Sequence, residues 1–191
     1  QNIVSLAKED KVRAYINVDN LSNEEFLNSH YIMLCTRKGT IKKSSLEDFS
    51  RPRANGIIAI SINEGDQLME AKLTNGKNEI LLAVRSGRAI RFNESTVRTV
   101  GRNSIGVRGV TLDEAKDEVI GMVCIENPKE ETILVVSEKG YGKRTDLEDY
   151  RITNRGGKGV KTINITDKTG DLIAIKSVKE TDDLMIINKS G

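Results

Sequence analysis

A chain of 191 residues with 37% hydrophobic content is long enough for one domain with a real core, and too apolar to read as disordered. With no Trp, three Phe and 16 Gly, that core must rest on Ile, Val and Leu, which favour strands. A net charge of +2, from 30 basic and 28 acidic side chains, excludes any partner argument from bulk charge and leaves only charge placement to speak.

In chain order, residues 2–18 read as the second half of a unit that then recurs. Asn23 to Ser29 is expected to be a loop or one helical turn, and His30, the only histidine, a solvated turn residue. Residues 31–73, 79–125 and 132–178 then align with one another. Each opens with a short apolar run, such as 80–84 or 133–136, which predicts a strand near the core. The run stops at R-K-G, R-S-G or E-K-G, where Gly39, Gly87 and Gly140 supply a positive φ for a hairpin turn. A second, basic strand follows. A polar stretch (SSLEDF, NESTV, TDLEDY) leads into a Gly/Arg/Asn-rich loop marked by Gly56, Gly106 and Gly159. A third strand (IIAISI, VRGVTL, VKTINI), an acidic turn and a fourth strand (LMEAKL, VIGMVCI, LIAIKSV) complete the unit. A fourth copy begins at Leu184 as LMIINKSG, with Gly191 at the turn position.

Four strands in about 50 residues is the content of a propeller blade, and blades bury their faces by stacking on each other. The expected architecture is all-β, a propeller-like disc of four-stranded blades. Its parts are a partial blade at 1–30, blades at 31–78, 79–131 and 132–183, and the start of another at 184–191. The chain is expected to be a fragment of a longer one, since it lacks an initiator Met and stops within a unit.

The charges follow the same period. Hairpins carry Lys42 and Lys43, Arg88 and Arg91, Lys143 and Arg144. The loops and third strands after them hold no acid: Arg51 and Arg53 lie in the first, Arg98, Arg102 and Arg108 in the second, Arg151, Arg155, Lys158 and Lys161 in the third. Acids gather in the turns that follow, at Glu64 and Asp66, Asp113 to Glu118, and Asp167 and Asp171. Stacked blades would join the basic ends into a stripe suited to a long polyanion, bound through phosphates without sequence preference. No aromatic ladder accompanies the stripe, which argues against stacked single strands. Gly156, Gly157 and Gly159 would let backbone N–H groups approach a phosphate.

Two stretches, IRFNESTVRTVGRNSIGVRGVTL at 90–112 and GYGKRTDLEDYRITNRGGKGVKTINI at 140–165, resemble the C-terminal domain of the DNA gyrase A subunit, from a bacterial type II topoisomerase. The resemblance runs over essentially the whole chain. It implies a β-pinwheel, in which a hairpin is exchanged between neighbouring blades and duplex DNA bends around a basic perimeter, biasing strand passage toward negative supercoils. It also implies a parent enzyme with a gyrase B subunit, a second A subunit, ATP and Mg²⁺, in the cytoplasm on the bacterial chromosome. Catalysis and its cofactors would lie outside this fragment. The family's Q-R-R-G-G-(K/R)-G box has its closest match in Thr153, Asn154, Arg155, Gly156, Gly157, Lys158 and Gly159, where the first two positions depart, so it reads as a degenerate copy.

Other chemistry finds little support. No apolar run approaches the ~20 residues of a membrane span, and QNIVSLAKED is not a secretory signal. Cys35 and Cys124 lie in apolar runs and read as buried thiols. One His and two separated Cys make no zinc cluster, and no Ser-His-acid set can be built. The alternatives are a propeller-like protein-interaction scaffold and the equivalent domain of topoisomerase IV.

Overall fold

The run 80–84, Ile-Leu-Leu-Ala-Val, is apolar at both strand parities, so it must be covered on both faces. The computed structural model, which describes residues 8–18 and 21–187, covers it by stacking three antiparallel sheets. A short helix α1 (Glu24–Ser29) comes first, capped by the Asn23 side chain, which accepts from Phe26 N at 3.1 Å. His30, expected to be solvated, is half-buried: its ring stacks on Phe26 with centroids 3.8 Å apart.

The first unit contains β1 (Tyr31–Thr36), β2 (Thr40–Ser45) and β3 (Leu68–Thr74). The second contains β4 (Glu79–Val84), β5 (Arg88–Asn93), the two-residue β6 (Val107–Arg108) and β7 (Val119–Ile125). The third contains β8 (Thr132–Ser137), β9 (Gly142–Asp146), the two-residue β10 (Val160–Lys161) and β11 (Leu172–Val178). The polar stretches after the hairpins form short 3-10 turns, Leu46–Phe49, Glu94–Thr96 and Leu147–Asp149.

The sheets run β3-β1-β2-β6, β10-β5-β4-β7 and β11-β8-β9. A unit's third strand therefore does not join its own sheet. It crosses to the preceding one, where Arg108 and Val107 pair with Thr40 and Ile41, and Val160 and Lys161 pair with Ala89 and Arg88. The expected third strands are also much shorter than six residues, and 57–62 is extended without a ladder. Their backbone bonds go instead to neighbouring loops, as with Ser61 N to Ser104 O at 3.2 Å.

Each face of β4 meets a different neighbour. Ile80, Leu82 and Val84 pack with Met33, Cys35 and Ile41 of the first sheet. Leu81 and Ala83 pack with Ile133, Val135 and Leu172 of the third. The outer face of the first sheet, with Ile32 and Leu34, is covered by Ala14, Ile16 and Val18 of the N-terminal segment. β7 packs between β3 and β11, so these three strands sit at the inner edge and the exchanged strands at the opposite, outer edge. This is the propeller-like, all-β architecture expected from the repeat.

Leu184 to Ile187 are exposed and form no strand. Gly191 and residues 1–7 lie outside the described residues. Cys35 is fully buried and Cys124 half-buried, both as free thiols. Burial pushes both thiols up, Cys124 to about 12.

Candidate nucleic-acid interface

The acid-free loops hang on the outer edge because β2 and β5 offer free backbone groups there. Val100 N donates to Lys43 O, and Thr153 N to Arg91 O, both at 2.9 Å. Gly109 N and Thr162 N close the same crossing on Gly39 O and Gly87 O, at 2.8 Å each. The loops also touch in series. The first meets the second through Ser61 and Ser104, and the second meets the third through Thr111 N and Gly157 O at 2.9 Å. Successive loops thus form one connected band.

Two of the turn acids face the hairpins and not the band. Asp66 Oδ1 accepts from Lys38 N at 3.0 Å, and Asp117 Oδ1 from Ser86 N at 3.0 Å, each against the hairpin turn of its own unit. Acids still reach the band: Asp113 pairs with Lys158, and that hydrogen bond holds its carboxyl below the usual aspartate value, while Glu24 and Glu47 line a cleft with Arg51.

The candidate basic residues divide by exposure. Arg51, Arg53, Arg98, Arg108, Arg151, Lys158 and Lys161 are exposed on the band, and Lys143 and Arg144 are exposed on β9. Arg144 is engaged with Thr132 Oγ1 and with Glu180 at 2.6 Å.

Four hairpin cations depart from expectation. Lys42, Lys43 and Arg91 are buried, so they cannot present their charge to an outside duplex, and Arg88 is half-buried with its guanidinium turned to backbone carbonyls. The reason is that loops of the next unit, joined at Lys42 by the loop of its own unit, cover the outer edge of β2 and β5. Lys42 Nζ donates to Ala59 O at 2.7 Å and to Arg102 O. Lys43 Nζ donates to Glu94 O at 3.1 Å and lies 3.9 Å from the Glu94 carboxylate. Arg91 donates to Leu147 O at 2.7 Å and Tyr150 O at 2.9 Å, and pairs with Glu79. Arg88 donates to Gly159 O at 2.7 Å. Buried polar groups need partners, and these cations find theirs in loop carbonyls, of which Glu94 O and Leu147 O also accept the bond of their own 3-10 turn, from Val97 N and Tyr150 N. Burial lowers Lys43 and raises Glu94, each countered in part by the other.

Arg102 and Arg155 are intermediate: half-buried, with one guanidinium edge spent on backbone carbonyls. The degenerate box lines a cleft of about 560 Å³, with Arg91, Arg151, Arg155, Lys158 and the three glycines around it. The matching cleft one unit earlier is about 240 Å³ and lined by Ile41, Val97, Val100, Ile105 and Val107, with Lys42 and Arg98. Sequence reasoning passed over Ser61 and Thr111, which join the loops. A signal existed, because Ser61, Thr111 and Asn164 each stand five residues past the landmark glycine of their unit.

The family model described as "DNA gyrase C-terminal domain, beta-propeller" matches residues 30–75, 78–126 and 131–179. The DNA gyrase A subunit of Staphylococcus epidermidis is 40% identical over 190 residues, and that of Staphylococcus aureus 41%. These alignments take in 100% of this chain but 21% of each relative, so the chain spans about a fifth of their length. The crystal structure of a DNA topoisomerase IV C-terminal domain superposes with a TM-score of 0.83 at 25% identity, covering 94% of this chain and 54% of that one. A DNA gyrase A C-terminal domain superposes at 0.78 and 24%, covering 94% and 57%, a likeness of fold.

Proposed function

We propose, from the premise that this chain belongs to the DNA gyrase C-terminal domain family, that it binds and bends duplex DNA for a type II topoisomerase and catalyses nothing itself. The observation that carries this reading is the connected band of acid-free loops, along which Arg51, Arg53, Arg98, Arg108, Arg151, Lys158 and Lys161 are exposed. Cations in series along an arc fit a phosphate backbone, give affinity without sequence preference, and make that affinity salt-dependent. Bending a short site costs roughly 1–6 kcal/mol, which several such contacts offset. In the parent enzyme the wrap would set the handedness of strand passage and so favour negative supercoils. The same reading assigns a gyrase B subunit, a second A subunit, ATP and Mg²⁺ to the parent, acting in the cytoplasm on the bacterial chromosome.

The higher TM-score of the topoisomerase IV domain favours a second reading, the equivalent domain of that enzyme. The gyrase family model over all three units and the 40% identity to a gyrase A protein over the whole chain support the gyrase reading over it. Either way the test on this chain is the same. Duplex affinity is measured between about 50 and 200 mM salt for the wild type and for Arg98→Gln/Arg151→Gln. The wild type should weaken steeply with salt. The variant should bind less tightly, with a log–log slope smaller by about 0.9 for each phosphate it no longer neutralises. A wild type that binds no duplex at low salt would exclude the reading and favour a protein-interaction scaffold.

A further inference from the structure

The loops of successive units are fastened by the same three hydrogen bonds at both junctions. Ser61 and Thr111 occupy the same place in their units, five residues past Gly56 and Gly106. Ser61 donates its hydroxyl to Asn103 O at 2.7 Å and its amide to Ser104 O at 3.2 Å. Thr111 donates its hydroxyl to Gly156 O at 2.6 Å and its amide to Gly157 O at 2.9 Å. Asn103 and Gly156 in turn share a place, sixteen residues past the turn glycines Gly87 and Gly140. The third bond runs backward. Arg102 Nη1 donates to Ile58 O at 2.9 Å, and Arg155 Nη1 to Arg108 O at 3.0 Å. Both arginines stand fifteen residues past the turn glycine, and both acceptors two residues past the landmark glycine. The same contact is closed twice with different hydroxyl residues and different loop sequences, so it belongs to the unit and not to one loop.

We propose that this clasp is a positioning device for the duplex: Ser61 with Arg102, and Thr111 with Arg155, hold each basic loop against the one before and so fix the spacing of phosphate contacts along the rim. The proposal rests on the duplex-binding reading. Long Gly-containing loops lose conformational entropy when they are ordered. A loop fastened during folding does not lose that entropy again on binding, which favours the bent complex. Arg102 and Arg155 are on this account positioning residues, and the exposed Arg98 and Arg151 are the phosphate contacts.

Ser61→Ala/Thr111→Val removes both hydroxyl bonds and no charge, which separates positioning from charge. In the 191-residue chain, duplex affinity should fall about fivefold or more, and end-to-end energy transfer on a labelled duplex should report a smaller bend. The salt slope should stay at the wild-type value, whereas Arg98→Gln/Arg151→Gln lowers it. Amide exchange in residues 97–106 and 151–159 should speed up. A double variant that binds and bends like the wild type overturns the proposal, as does one whose salt slope falls as far as the arginine pair's. Should the double variant misfold, Ser61→Ala alone breaks an exposed bond and is expected to shift bend and loop exchange in the same direction. A wild type that fails to bind duplex at low salt sinks the DNA reading and the positioning role with it, while amide exchange still reports whether the clasp fastens the loops.

Discussion

Lys42 is fully buried, and its ammonium group donates to two backbone carbonyls, Ala59 O and Arg102 O. Desolvation lowers it from 10.5 to about 8, with Arg102 adding to the effect and Asp48 opposing it. The folded value lies below the unfolded one, so between about pH 8 and 10.5 the unfolded chain binds more protons. Stability from this group therefore rises with pH across that window and is flat below it. Urea melts of wild type and Lys42→Met from pH 7.5 upward should diverge above about pH 8, with the wild type gaining; parallel curves would refute the assignment. The burial was hidden in the sequence because β2 is covered on both faces. Ile41, Lys42 and Lys43 are all buried, so alternation carries no signal. What was legible is recurrence, since Lys43, Arg91 and Arg144 share one place four residues past the turn glycine. Lys43 and Arg91 use that place to reach carbonyls of the next unit, at Glu94 and at Leu147 and Tyr150.

Among the elements, the hairpins could be read directly, because an apolar run, a turn glycine and a basic strand are all local signals. The third strands could not. VRGVTL and VKTINI alternate like full strands, yet two residues of each pair with the neighbouring sheet, and the remaining backbone bonds go to loops whose positions only the assembled stack defines. Gly159 is what allows one crossing: at φ +73, an added Cβ would stand 2.1 Å from Ala89 O. Gly140, at φ +81, has nothing within 4 Å. Gly140→Ala should therefore cost only the left-handed backbone penalty, about 1–2 kcal/mol. Gly159→Ala should cost that plus roughly 1–3 kcal/mol for displaced packing. Equal denaturation midpoints for the two variants would show that the β10 crossing is not tightly held.

At the scale of the whole molecule, each sheet depends on its neighbours, because no single sheet can bury both apolar faces. β4 makes this dependence directional. Leu82 faces the first sheet and Leu81 the third, and both are fully buried. Truncating either to Ala should cost about 2–5 kcal/mol, the range for buried leucines. The two variants should differ in where the loss appears. Leu82→Ala weakens packing on Met33 and Ile41, so amide exchange should accelerate in β1 and β2 more than in β8. Leu81→Ala weakens packing on Ile133 and Val135, so β8 should exchange faster than β1. The connected band of basic loops crosses both junctions, so either variant should also reduce duplex bending while leaving every band cation in place. Identical exchange maps for the two variants would mean that the three sheets unfold as one body, and that stability here is not passed from neighbour to neighbour.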